Sequence, residues 1–270
     1  MKIAIQGIEG CFHQIAANKY FGHQVDVLPC LSFDDLIKTI KQDSSCDLGI
    51  MAIENSIAGS LLQNYKLLQE NQLKIVGETY LRIEQNLIAP KGSKKEDIKE
   101  VHSHPMAIYQ CKLFLDDMTD VKLMEMEDTA LSVKNLNGNK NVAAIGSSLS
   151  ATIYDKEIIV PSIETNKDNY TRFLIIGNDE VEDVEATNKA SIYLVADHEK
   201  GTLAKVLEVI ARCNINLSKI QSYPIVGAVW QYYFHLDLEY ESYRDFKNML
   251  LKITHHTSAI KILGNYKKGT

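Results

Sequence analysis

Residues 169–177, NYTRFLIIG, set a hydroxyl and a guanidinium, Thr171 and Arg172, directly against an unbroken apolar run. A run with no polar alternation reads as a strand buried on both faces, as in a parallel sheet covered by helices. A strand that only had to begin could do so with Gly, Asn or Asp. The Thr-Arg pair at its mouth therefore points to chemistry as well as to fold.

Upstream of this strand, short apolar runs alternate with helical patterns. KIAIQ precedes HQIAANKYF, DLGIMAI precedes SLLQNYKLLQE, VHSH precedes MAIYQCKLFL, KLMEME precedes TALSVKNL, and VAAIG precedes SSLSATIY. Repeated strand-then-helix order predicts an α/β domain with mostly parallel sheets. The longer KIVGETYLRIEQNLIAP reads as an extended crossing that divides the region into two lobes. Downstream, the acidic 178–189 reads as a linker. Beyond it ASIYLVA, a helix marked by Leu203, Val206, Leu207 and Ile210, the paired runs NLSKIQSY and VWQYYFHLDLE, a helix capped by Ser242, and AIKILGN give the order βαββαβ of a ferredoxin-like sandwich. The expectation is two domains, 1–178 and 190–267.

The bulk properties narrow the function. With 270 residues and 45% hydrophobic content the chain has material for a real core, and its net charge of −6 with no basic stripe argues against nucleic acid. No apolar run reaches the length of a membrane span, and MKIAIQGIEG enters a strand at once, without a targeting segment. Five scattered cysteines without metal spacing fit reduced thiols, so the expected location is the cytoplasm. No phosphate-binding loop, nucleophile elbow or metal cluster is legible.

Ligands of parallel α/β sheets bind beyond the carboxyl ends of the strands. The residues there are Gly7 to His13; Glu54, Asn55, Ser56, Gly59 and Ser60; His102, Ser103 and His104; Asp128 and Thr129; Ser147 and Ser148. Each junction alone is a helix cap. Five on one rim suggest a cleft for a polar, anionic ligand.

IAIENSIAGS after Met51, HSHPMAIYQC, AAIGSSLSA and NYTRFLIIG resemble, in order and spacing, the signature segments of prephenate dehydratases, over essentially all of 1–178. The second region resembles an ACT regulatory domain. The resemblance implies a two-lobed α/β catalytic domain like type II periplasmic binding proteins. It also implies decarboxylative loss of water from prephenate to give phenylpyruvate in phenylalanine biosynthesis, without a cofactor or metal. Thr171 becomes the candidate catalytic residue, donating a hydrogen bond to the departing hydroxyl, with His104 or a water as the proton source. Arg172, Phe173, Asn55, Ser56, Ser103, His104 and Thr129 become candidates for substrate binding. Gly201, Thr202, Leu203, Gln221, Ser222, Tyr223 and Pro224 occupy the positions expected to bind phenylalanine, the implied effector.

Departures from the family pattern bear on two places. The first loop reads GIEGCFHQIAA, with Ile8, Cys11 and His13 for the usual Pro, Thr and Ser, and Gln14 where His is usual. In the second domain GTL and QSYP replace GAL and ESRP. With no helical mutase segment ahead of Met1, a single-activity enzyme is expected, and the resemblance implies a homodimer or homotetramer paired through the second domain, with Trp230, Tyr232 and Phe234 as surface. Neither nucleic acid nor membrane is an expected partner. Arogenate dehydratase, a solute receptor of the same architecture, and an inactive amino-acid sensor are the competing readings.

Overall fold

The computed structural model describes residues 1–196, 199–225, 227–228 and 231–270. The chain divides into two compact units, residues 1–59 with 80–173 and residues 60–79 with 174–270. In chain order the first elements are β1 (Lys2–Gln6), α1 (Phe12–Phe21), β2 (Asp26–Cys30), α2 (Phe33–Gln42), β3 (Leu48–Asn55), β4 (Gly59–Ser60), α3 (Leu62–Asn71), β5 (Lys74–Arg82) and β6 (Asn86–Ala89). There follow β7 (Glu100–Ser103), α4 (Pro105–Gln110), α5 (Lys112–Asp116), β8 (Lys122–Glu125), α6 (Thr129–Lys134), β9 (Val142–Gly146), α7 (Ser148–Ile153), β10 (Glu157–Val160) and β11 (Tyr170–Gly177).

One sheet runs β2-β1-β3-β11-β5 with β4 beside β3, and a second runs β10-β6-β9-β7-β8. β1 is parallel to β2 and β3, with Ile5 opposite Pro29 and Ile50. Every residue of β11 after Tyr170 is buried, as its apolar run predicts. In the second sheet β7 is parallel to β8 and β9, but β6 is antiparallel to β9 and β10. The expectation of mostly parallel pairing fails at this strand, which enters the second sheet straight from β5 of the first, with three residues and no helix between them. The KIVGETYLRIEQNLIAP segment is thus a crossing from one sheet to the other. The helix expected over MAIYQCKLFL breaks at Cys111, whose N–H is shared between the carbonyls of Ala107 and Ile108, both at 3.1 Å.

In the second unit β12 (Lys189–Ala196), α8 (Thr202–Arg212), β13 (Asn216–Pro224), β14 (Tyr232–Glu239), α9 (Tyr243–Ile253) and β15 (Thr257–Tyr266) follow. Their sheet order, β13-β14-β12-β15, with antiparallel pairs, is that of a ferredoxin-like sandwich. Ile192, Leu194, Leu236 and Leu238 on one sheet face pack against Val206, Ile210, Phe246, Met249 and Ile253 of α8 and α9. Phe234 joins this core while Tyr232 is exposed; Trp230 lies outside the described residues. Among the described residues no helix is long and apolar enough to cross a membrane.

The other face of this sheet is polar and is covered by residues 60–79. The Tyr65 ring meets His235 edge-on at 4.6 Å, and Gly264 passes so close to Ile75 that a Cβ would lie 2.0 Å from the Ile75 carbonyl oxygen. Lys189 Nζ, almost fully buried, donates to both Glu78 carboxylate oxygens at 2.9 and 3.1 Å. Lys189→Met should cost about 3–5 kcal/mol by urea denaturation, because it strands the buried Glu78 carboxylate; Glu78→Leu in the same chain should recover most of the loss.

Candidate active site

The TR pair begins β11 beside the end of β3, and Asn55, the last residue of β3, joins them. Its Nδ2 donates to Asn169 Oδ1 at 2.7 Å and to Thr171 Oγ1 at 3.0 Å. Its Oδ1 accepts from the N–H groups of Ile57 and Ala58, both at 2.9 Å, folding the turn after the strand. Ser56 ties the same ends together: its N–H donates to the Tyr170 carbonyl, and its hydroxyl accepts from Tyr170 N–H and donates to the Asp168 carbonyl.

Thr171 is 8% exposed and Asn169 fully buried. The Thr171 oxygen accepts from Asn55, and its own proton has no protein acceptor among the described residues. That leaves one oriented O–H donor at the sheet edge. Arg172 is 5% exposed and, by strand alternation, leaves β11 on the face opposite Thr171. Phe173 shares the Thr171 face but is 1% exposed, packed edge-on against His13 at 5.1 Å. It forms the floor beneath the hydroxyl.

His13, unusual for its position, is the other half of that floor. Burial pushes its pKa down to about 4, and its Nε2 accepts from Ala52 N–H at 3.3 Å, so the neutral ring carries its proton on Nδ1. Gln14, where the family pattern has His, accepts from Gly10 N–H at 2.6 Å. The altered loop is anchored from α7: Ser147 donates to the Gly10 carbonyl at 2.5 Å, and Tyr154 donates to that of Glu9 at 2.8 Å. Gly10 needs its missing side chain, since φ is +88° and a Cβ would fall 2.8 Å from Ser150 Cα. Burial pushes the Cys11 thiol up to about 12, so it is no nucleophile at neutral pH.

The remaining rim residues separate by role. Ser103 is fully buried and donates to the Ile145 carbonyl at 2.8 Å, a bond between neighbouring strands. His104 is exposed and caps α4, its Nδ1 accepting from Met106 N–H at 3.1 Å. Thr129 is half-buried in the first turn of α6, behind Asp128, whose Oδ1 accepts from Leu131 N–H at 2.8 Å. Burial raises the Asp128 carboxyl above its ordinary pKa, its hydrogen bonds to backbone N–H groups and the nearby His104 opposing. Asn169 was not among the named site candidates, and His13 and Asp128 were placed on the rim without a role. The Asn two places before the TR pair was the legible signal for the first; the departures in the first loop were the signal for the second.

In the second unit Gly201 is the left-handed residue (φ +83°) before α8, Thr202 is buried and Leu203 half-buried. Gln221 donates to the Ser222 carbonyl at 2.9 Å, Ser222 and Pro224 are exposed, and Tyr223 is buried against Tyr233 with ring centres 5.5 Å apart.

A family model described as prephenate dehydratase matches residues 3–181, and the chain belongs to that family. It is 30% identical to the bifunctional chorismate mutase/prephenate dehydratase of Aquifex aeolicus, covering 99% of this chain and 74% of that one. It is 32% identical to arogenate dehydratase/prephenate dehydratase 2, chloroplastic, of Arabidopsis thaliana, covering 100% and 74%. The crystal structure of prephenate dehydratase from Staphylococcus aureus superposes with a TM-score of 0.85 at 27% identity, covering 99% of this chain and 100% of that one. A prephenate dehydratase from Arthrobacter aurescens, solved in complex with L-Phe, shares the fold with a TM-score of 0.86 at 23% identity, covering 99% and 90%.

The depressed pKa of His13 carries a stability consequence. Unfolded His13 binds a proton as pH falls through its ordinary value of 6.5, while the folded residue resists until about 4. Stability is therefore lost between those values, by about 3 kcal/mol in all. His13→Gln, which keeps an acceptor for Ala52 N–H, should flatten this loss when urea midpoints are compared between pH 7.5 and 4.5.

Proposed function

We propose that the chain converts prephenate to phenylpyruvate, expelling carbon dioxide and the ring hydroxyl, with Thr171 as the catalytic donor. The observation that carries this reading is the unused proton of Thr171. Asn55 occupies the acceptor side of the hydroxyl and drains charge from it, so the O–H is both aimed and strengthened as a donor. As the C–O bond of the substrate breaks, negative charge grows on the leaving oxygen. A fixed donor there stabilises the transition state more than the ground state. Threonine is too weak an acid to supply the proton itself, so the proton comes through a neighbour or water. His104 and Asp128, which cap α4 and α6, are the proposed holders of that proton. Gain of aromaticity drives the loss of carbon dioxide, and the protein contributes position and charge. Asn55, Ser56 and Thr129 remain the proposed surroundings of the dianion, whereas Arg172, leaving β11 on the face opposite Thr171, is not placed among them.

A second reading, arogenate as substrate, is favoured by the similarity to the Arabidopsis protein. The two substrates share the ring and leaving group and differ in one side-chain substituent. Incubation with each, following phenylpyruvate or phenylalanine, separates the two readings; no product from either rejects both. Thr171→Val, which preserves shape, should lower kcat at least about 100-fold, the loss of about 3 kcal/mol of transition-state stabilisation. Near-normal turnover in a folded variant removes the hydroxyl from the chemistry.

L-Phenylalanine is the proposed effector, bound at 201–203 and 221–224 in a second domain of ACT type that pairs subunits. The L-Phe complex of the Arthrobacter aurescens protein supports this assignment, as does one contact within the second unit. Lys219, two residues before the QSYP segment, donates from Nζ to Ser60 Oγ at 2.7 Å, and Ser60 ends the loop that Asn55 begins. Phenylalanine titrated against activity and sedimentation should lower the first and shift the second; a flat response in both rejects the assignment.

A further inference from the structure

Two crossings join the sheets of the first unit: residues 83–85 between β5 and β6, and residues 161–169 between β10 and β11. Glu164 lies where they meet, and its side chain is 0% exposed. One carboxylate oxygen accepts from Gln85 N–H at 2.9 Å. The other accepts from Arg82 Nη2 at 3.1 Å and lies 3.3 Å from Lys167 Nζ. The same residues are knitted by backbone: Ile163 N–H donates to the Gln85 carbonyl at 2.7 Å, and Arg82 Nε donates to that of Lys167 at 2.9 Å.

The last rung of this ladder is Ile83 N–H to the Asn169 carbonyl, at 2.7 Å. Asn169 is the residue whose side-chain oxygen receives the Asn55 amide, and that amide holds Thr171. A chain of short, directional bonds thus leads from a fully buried carboxylate to the donor hydroxyl. A charge with no exposure is costly to keep, and apolar packing would fill the space more cheaply. What apolar packing would not do is set the register of one crossing against the other to within the few tenths of an ångström that a hydrogen bond to a reacting oxygen requires.

We propose that Glu164 is a positioning residue for the dehydration, locking the outgoing crossing to the returning one and thereby fixing Asn169 and the Thr171 hydroxyl. The proposal rests on the reading of Thr171 as the catalytic donor. The test is a cycle of four enzymes: wild type, Glu164→Gln, Thr171→Val and the double variant, each assayed with prephenate. Glu164→Gln should lower kcat by about tenfold while KM stays within about threefold, as expected when orientation rather than binding is lost. Once the hydroxyl is misplaced, deleting it should matter less, so Thr171→Val should cost at most about tenfold in the Glu164→Gln background against at least about 100-fold in wild type.

A residue that merely supports the fold predicts losses that multiply. Multiplying losses, or a Glu164→Gln kcat within about twofold of wild type, overturn the role of Glu164 while leaving Thr171 in place. A Thr171→Val enzyme of normal turnover overturns the underlying reading and with it this one. If Glu164→Gln fails to fold, Arg82→Met, at a side chain 38% exposed, removes the restraint from the other partner and is read by the same criteria.

Discussion

The carboxamide of Asn55 is the constraint on which the site depends. Its oxygen is spent on two backbone N–H groups of its own turn, which leaves its NH2 pointing at β11. There the two amide hydrogens are shared among three oxygens, those of the Asn169 side chain and the Thr171 hydroxyl at 2.7 and 3.0 Å and, more distantly, the Tyr170 carbonyl at 3.3 Å. A carboxylate at this position would offer only lone pairs. The Thr171 proton would then turn inward to satisfy it, and no free O–H donor would remain at this position. The amide thus decides which way a freely rotating hydroxyl faces, and it does so from a side chain 9% exposed, where competing water is scarce.

Around that amide the packing is rigid. His13 stays uncharged because burial denies its imidazolium solvation, so a neutral ring packs edge-on against Phe173. The loop of residues 7–11 is gripped through two carbonyls by Ser147 and Tyr154, and Gly10 fits against Ser150 only because it lacks a Cβ. Positioning of this kind suits a reaction whose driving force is in the substrate. The protein's task is to present a donor and charge in one geometry, with little reorganisation as charge develops.

Much of the architecture was legible because it rests on patterns local to the sequence. The buried strand NYTRFLIIG, the strand-helix alternation and the βαββαβ order each leave a periodic trace, and Thr171 announces itself as a hydroxyl where an apolar strand had no need of one. What was not legible depends on partners distant in sequence. Nothing in VHSH shows that Ser103 will spend its hydroxyl on Ile145, forty-two residues on. Nothing in QNLIAP shows that β6 will run antiparallel to its neighbours, since its partners, Gly146 opposite Asn86 and Ile158 opposite Ile88, lie far along the chain. Glu164 was invisible for the same reason. In SIETNKDNY it reads as one more solvated charge, and only the fold brings Arg82 and Gln85 to it.

The second unit shows the same economy in a different place. One face of its sheet is apolar and packs on two helices, as the alternation of Ile192, Leu194, Leu236 and Leu238 requires. The opposite face carries Ser191, His235 and Asp237, buried just as completely. Asp237 Oδ1 accepts from Ser191 at 2.5 Å and lies 3.0 Å from His235 Nε2, and Tyr266 reaches the Ser191 hydroxyl at 2.6 Å, all between strands of the one sheet. Across to residues 60–79 run the bonds of Lys189 Nζ to Glu78, at 2.9 and 3.1 Å, and of Lys219 Nζ to Ser60 Oγ, at 2.7 Å. Apolar side chains of equal volume would hold the layers together as strongly, because desolvation offsets most of what buried polar bonds return. Apolar surfaces can also slide, whereas a bonded carboxylate accepts one register. Residues 60–79 belong to this unit by contact, so the polar interface fixes them in one register against the sheet, and the chain enters that register only five residues past Asn55.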